Sequence, residues 1–126
     1  MAYSILSNRK NTSAVILITS NSTITIAGNS SVSNVAIGSE VLTGCYITQI
    51  FCGSNSGNGA HWVVKRGTDL AAVLDSTGYF DYAGCGMALT LAPTATLVAN
   101  LENSTTGYLL IEIQKQGTFT SDYFQS

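Results

Sequence analysis

The sequence predicts an all-β chain, an antiparallel β-sandwich with jelly-roll or Greek-key connections and seven to nine short strands. Three observations predict it. Short runs of apolar and β-branched residues recur along the chain, separated by clusters of Ser, Thr, Asn and Gly. No stretch carries an amphipathic helical period over three turns. Of 126 residues, 45% are apolar and only one is proline, so a single domain can bury a substantial core.

Residues 1–12 carry Tyr3, Ile5, Leu6 and Arg9 without a clean period and read as an N-terminal arm. The sandwich domain is expected over 13–116. Its first strand, within 13–19, contains the continuous apolar run Ala14, Val15, Ile16, Leu17 and Ile18. Such a run belongs to a strand covered on both faces, or covered on one by a partner chain. Residues 22–27 alternate, so Ile24 and Ile26 point inward while Thr23 and Thr25 point outward. The polar stretch 28–39 reads as a loop or a weak strand around 32–37. Residues 41–52 form the longest extended candidate, and Gly44 within it is a candidate bulge.

The connector 53–59 consists of Gly, Ser and Asn, residues that tolerate positive φ. A strand over 61–66 follows, with Trp62 and Val64 on one face and Val63 on the other. Gly67, Thr68 and Asp69 turn the chain into 70–74, and a strand over 78–83 carries Tyr79, Phe80 and Tyr82. Residues 88–91 form a further short strand, and Pro93 belongs in a turn or at an edge. Residues 96–101 and 108–115 then read as a hairpin around 103–107. Leu97, Ala99 and Leu101 share one face of its first strand, and Leu109, Ile111 and Ile113 one face of its second, opposite Glu112 and Gln114. Residues 117–126 are a C-terminal tail with Phe119, Tyr123 and Phe124.

Composition limits function as well as fold. A net charge of -2 with five Lys and Arg offers no basic footprint for a nucleic-acid backbone. Residues 1–6 lack a signal-peptide apolar region, and 14–18 is too short to span a bilayer, so no membrane partner is expected. Four N-x-[ST] matches, at Asn11, Asn21, Asn29 and Asn103, are what a chain this rich in Ser and Thr contains by chance. Cys45, Cys52 and Cys85 have no metal-ligand spacing and read as small buried hydrophobes in a reducing compartment. No metal or cofactor is expected.

Catalytic groups are sparse. His61 is the single histidine, and Ser or Cys with His61, oriented by Asp69 or Asp75, would be a conceivable nucleophile pair. No nucleophile elbow or cysteine-protease signature surrounds it, and a histidine opening a strand is the simpler reading. Asp75 and Asp81 flank a turn and could form an acid–base pair, although scattered turn and surface carboxylates are the more ordinary explanation. The glycine-rich 53–59 lacks the G-K-[ST] ending of a phosphate loop. The expectation is a protein that binds or assembles and is not an enzyme. Trp62, Tyr79 and Tyr82 are the candidates for stacking on a sugar, while Tyr3, Ile5, Leu6, Arg9, Phe119, Tyr123 and Phe124 are the candidates for protein contact at the two termini.

The order of features resembles small β-sandwich structural proteins of tailed bacteriophages. The resemblance covers roughly residues 14–115. It rests on the early strand and glycine turn from Thr23 to Ser30, the Glu-led strand opening Gly38, Ser39, Glu40, Val41 and running on through Ile47 to Ile50, and the tryptophan strand closing on Arg66 and Gly67. Asp81, Tyr82, Ala83 and Gly84, with the C-terminal strand pair ending Ile111, Glu112, Ile113, Gln114 and Lys115, complete it. The resemblance implies a virion structural protein of the capsid decoration (cement) type, made in the host bacterial cytoplasm. Such a protein binds the assembled head as a homo-oligomer such as a trimer and reinforces contacts between major capsid protein subunits. The alternatives are a carbohydrate-binding or receptor-binding module of a tail or fibre, and a neck or tail connector.

Overall fold

The computed structural model describes residues 3–10, 12–54, 60–74, 78–81, 94–103 and 107–118. Its strands are β1 (Tyr3–Arg9), β2 (Ser13–Ile18), β3 (Ser22–Ile24), β4 (Gly28–Asn29), β5 (Val41–Ser54), β6 (His61–Arg66), β7 (Asp69–Leu74), β8 (Gly78–Asp81), β9 (Leu97–Glu102) and β10 (Gly107–Thr118). Two antiparallel sheets contain all ten. The larger runs β1, β2, β10, β5, with β4 on the start of β5 and β8 on its end. The smaller runs β3, β9, β6, β7.

The connections are those of a jelly roll. β2 pairs with β10, β3 with β9, β5 with β8 and β6 with β7. These pairs nest inside one another along the chain and alternate between the two sheets, as in one long hairpin rolled into a sandwich. The expected all-β sandwich is therefore the fold. Among the described residues its strands number ten, because β1 and the two-residue β4 extend the larger sheet beyond the eight nested strands.

Alternation in the sequence explains the core. Ala14, Ile16 and Ile18 of β2, Ile47 and Ile50 of β5, and Leu109, Ile111 and Ile113 of β10 turn inward from the larger sheet. Ile24, Trp62, Val64, Leu97 and Ala99 meet them from the smaller one. Inside the 25–40 connection, Ile26 and Val35 add to this core. Ser33 holds that connection in shape: its hydroxyl accepts hydrogen bonds from the amides of Val35 at 3.2 Å and Ala36 at 3.1 Å.

Three expectations are corrected. The N-terminal arm is an edge strand, with Tyr3 opposite Ile18 and Ile5 opposite Ile16, both packed on the chain's own core. A register shift between Ile5 and Ser7 breaks its alternation, which is why residues 3–9 show no clean period. β9 and β10 do not form a hairpin. They lie in different sheets, joined across the sandwich after Asn103, whose φ is 61°. Each strand has one apolar face, and the two faces oppose each other across the core. Finally, β5 bulges at Thr43 and Thr48, either side of the segment that Gly44 opens, and β10 continues to Thr118.

Candidate interaction surface

Two buried cations hold one end of the sandwich. Along β10 the inward positions Leu109, Ile111 and Ile113 are followed by Lys115, and along β6 Trp62 and Val64 are followed by Arg66. Both cations therefore point into the protein. Lys115 Nζ lies 2.9 Å from Glu40 Oε1, with both side chains at 0% exposure, and also donates to Asn8 Oδ1. Glu40 Oε1 accepts from the Ile37 amide at 2.8 Å, and Asn8 Nδ2 donates to the Val35 carbonyl at 3.0 Å. The cluster thus ties β1, the 25–40 connection and β10 together. Arg66 donates from Nη1 to the Cys45 carbonyl at 2.8 Å and from Nη2 to the Ala95 carbonyl at 2.9 Å. That guanidinium bridges the two sheets. Sequence reading missed both groups, although their parity signalled them: each continues an inward apolar row.

The fold does not bring Asp69 to His61. His61 opens β6 opposite Glu102, whereas Asp69 pairs with Arg66 at the far end of the same strand. At about 3.4 Å per residue that separates them by roughly 17 Å along β6, so Asp69 cannot orient His61. Asp75 lies outside the described residues, as does the side chain of Asp81, and with them the conceived carboxylate pair. Cys45 and Cys52 are buried thiols that share no disulfide. Burial pushes the Cys45 thiol up to about 11, against the lowering influence of the Arg66 guanidinium beside it. Burial also raises Cys52, partly offset by a backbone hydrogen bond from Gly78. Both shifts favour the neutral thiol over the nucleophilic thiolate. Cys85 lies outside the described residues, and no His, Cys, Asp and Glu group among the described residues could hold a metal ion.

What the fold does assemble is an aromatic surface on the outer face of the larger sheet. Cross-strand register aligns Leu17 of β2, Leu110 of β10, Phe51 of β5 and Tyr79 of β8 in one row. Phe51 is 46% exposed and Tyr79 48%, with ring centroids 4.8 Å apart and planes at 30°. Tyr108, 40% exposed, stands one row away opposite Gly53. A Cβ on Gly53 would come within 2.6 Å of Tyr108 Cε1, so the missing side chain is the seat of that ring. Beneath it, Trp62 Nε1 donates to the Gly53 carbonyl at 3.2 Å, linking the core indole to the surface phenol. The next row along holds Val15, Glu112, Gln49 and, at the β8 register position, Asp81. Thr48, the bulged residue of β5, donates from its hydroxyl to Glu112 Oε1 at 2.8 Å and fixes that carboxylate.

This face accounts for the unbroken apolar run of β2. Ala14, Ile16 and Ile18 are buried inside, while Val15 and Leu17 lie half-buried outside. Of the residues expected to bind sugar, Trp62 is corrected: at 1% exposure its ring belongs to the core. It faces inward because it shares parity with Val64 and Arg66. Tyr79 is on the surface, and Tyr82 lies outside the described residues. The 4.8 Å between Phe51 and Tyr79 equals the strand spacing. At that distance, with their planes 30° apart, the two rings are in contact with each other. Together they form one apolar ridge across β5 and β8. Of the residues expected at protein contacts, Tyr3 and Ile5 pack inward, Leu6 is 57% exposed and Arg9 exposed, and Phe119, Tyr123 and Phe124 lie outside the described residues.

Comparison of the chain with protein-family models, curated proteins and solved structures finds no match.

Proposed function

We propose that this protein is a virion structural protein, a capsid decoration (cement) protein that works as a homo-oligomer and docks on major capsid protein subunits through the aromatic face of its larger sheet. The observation that carries the docking role is the row Leu17, Leu110, Phe51 and Tyr79 with Tyr108 beside it. Exposed aromatics with few charges around them have the composition of an interface core. Glu112 and Asp81 are the two charged residues that the register places in these rows among the described residues, both in the row beside the aromatic one. The jelly roll is compatible with this reading and with others, since a fold hosts many functions. The virion context rests on the sequence resemblance.

The expected energetics are modest per copy. At about 200 Å² per aromatic side chain, the exposed parts of Phe51, Tyr79 and Tyr108 offer roughly 270 Å². At about 25 cal/mol per Å² this contributes roughly 7 kcal/mol before costs. Association costs about 4–15 kcal/mol, so the ridge must be the centre of a larger contact, reinforced by repetition over a shell.

Cosedimentation of the purified protein with capsids and with separated tails of its phage tests the reading. Saturable, stoichiometric binding to capsids is expected, and Phe51→Thr with Tyr79→Thr should weaken it at least tenfold while leaving the fold intact, because threonine suits an exposed strand position. Binding only to tails, or binding to host cells that free sugar competes away, would replace decoration with the receptor-binding reading.

A further inference from the structure

Three chemically complementary side chains meet at one buried nitrogen. Lys115 Nζ lies 2.5 Å from the amide oxygen of Asn8 and 2.9 Å from Glu40 Oε1. A carbonyl bond is about 1.2 Å long, so Nζ is at most about 3.7 Å from Cγ of Asn8. That approaches the separation of about 3–3.5 Å at which a nucleophile and its target are aligned to react. The topology makes the meeting specific. Asn8 sits on β1 opposite Ala14 of β2, and Ala14 sits opposite Ile113 of β10. The inward side chain between the two outer strands is therefore a methyl group, over which Asn8 and Lys115 reach each other.

Each partner also fixes its neighbour's chemistry. The Asn8 amide nitrogen donates to the Val35 carbonyl at 3.0 Å, while Nζ can only donate. Both contacts orient the amide the same way, with its oxygen toward Lys115. Glu40 Oε1 is held by the Ile37 amide at 2.8 Å, and its side chain and that of Lys115 are completely buried, screened from bulk water. An ammonium is no nucleophile, but the carboxylate beside it is a proton acceptor within hydrogen-bond reach.

We infer that Lys115 and Asn8 join in an intramolecular isopeptide bond, with Glu40 as the catalytic proton carrier. Nζ passes a proton to Glu40 Oε1, and its lone pair attacks Cγ of Asn8. The Nζ–Cγ bond forms and the Cγ–Nδ2 bond breaks. Glu40 carries two of the three Nζ protons in turn to the departing nitrogen, which leaves as ammonium. The third proton stays on the new amide, and Glu40 ends as it began. No oxidant or cofactor takes part. Holding the two groups in place is worth an effective concentration of about 10⁵–10⁸ M, and escape of ammonium to solvent draws the exchange to completion. The bond ties β1 to β10, so the edge strand cannot peel from the larger sheet. It lies within the chain and is independent of capsid docking. Until it forms, the cluster is the buried ion pair described above.

The test is the intact mass of the purified full chain after denaturation, with a tryptic map. Wild type should be lighter than its sequence by one ammonia. Trypsin should release residues 1–9 joined to residues 67–126, because an acylated Lys115 offers no cleavage site. Lys115→Arg, whose guanidinium stays protonated, should keep its full mass and give separate peptides. That variant also distinguishes the bond from a succinimide at Asn8, which would lose ammonia without Lys115. Glu40→Gln keeps an acceptor for the Ile37 amide but removes the proton carrier, so it should retain the wild-type circular dichroism spectrum and stay unlinked. Separate peptides from wild type, an ammonia loss that persists in Lys115→Arg, or a Glu40→Gln chain linked as fully as wild type would overturn the inference.

Discussion

Replacing Lys115 with methionine removes one member of a pair whose side chains are both completely buried, 2.9 Å apart. At an effective dielectric constant of about 20 the direct attraction is roughly 6 kcal/mol. Desolvation of the two ions, several kcal/mol each, offsets most of it. The net worth of the intact pair is therefore small, but the loss on breaking it is not, because the Glu40 carboxylate stays buried without its cation. Breaking a buried pair in this way costs about 3–5 kcal/mol. For a domain of ordinary stability, about 5–15 kcal/mol, that is between a fifth and all of the total. Urea unfolding followed by circular dichroism should show the midpoint falling at unchanged slope, with the melting temperature lower by roughly 10–25 °C. Adding Glu40→Gln removes the stranded charge, keeps an acceptor for the Ile37 amide, and should recover more than half of the loss. A Lys115→Met variant within about 1 kcal/mol of wild type, or a double variant no more stable than the single one, would refute the claim that this pair closes the end of the sandwich.

Two further outcomes follow from the same geometry. Gly53→Ala puts a Cβ within 2.6 Å of Tyr108 Cε1; a flexible ring can swing away, so stability should change by less than about 1.5 kcal/mol while near-UV circular dichroism changes and capsid binding weakens. Cys45, whose thiol burial pushes up to about 11 from 9.0, should resist a thiol-reactive disulfide reagent in the native state and react on unfolding. The unfolded thiol ionises first as pH rises, so its contribution to stability is fully present below about pH 9 and disappears as pH approaches 11, an effect that alkaline urea titrations of wild type and Cys45→Ala would isolate.

Much of this was legible in the chain because a strand writes its two faces into alternate residues. The period of two identified the buried faces of β3, β9 and β10, down to Ile24, Ala99 and Ile111. It also carried the two buried cations, since Lys115 and Arg66 occupy the next inward positions after Ile113 and Val64. Where a bulge interrupts the period, as between Ile5 and Ser7, alternation fails and local sequence misleads: β1 looked like an arm.

By itself, then, the sequence determined an all-β sandwich, the inward sets of β3, β9 and β10 and the scarcity of catalytic side chains. Only the tertiary structure decided which strands neighbour one another. Alternation says that Leu97 and Leu109 are both buried, and it is equally satisfied if their strands lie side by side or face each other across the core. The structure takes the second arrangement. The aromatic row has the same origin: Leu17, Leu110, Phe51 and Tyr79 come from four separate strands and share a surface only through cross-strand register. Register depends on loop closure and core packing over the whole chain, and those are long-range terms that no local window of residues contains.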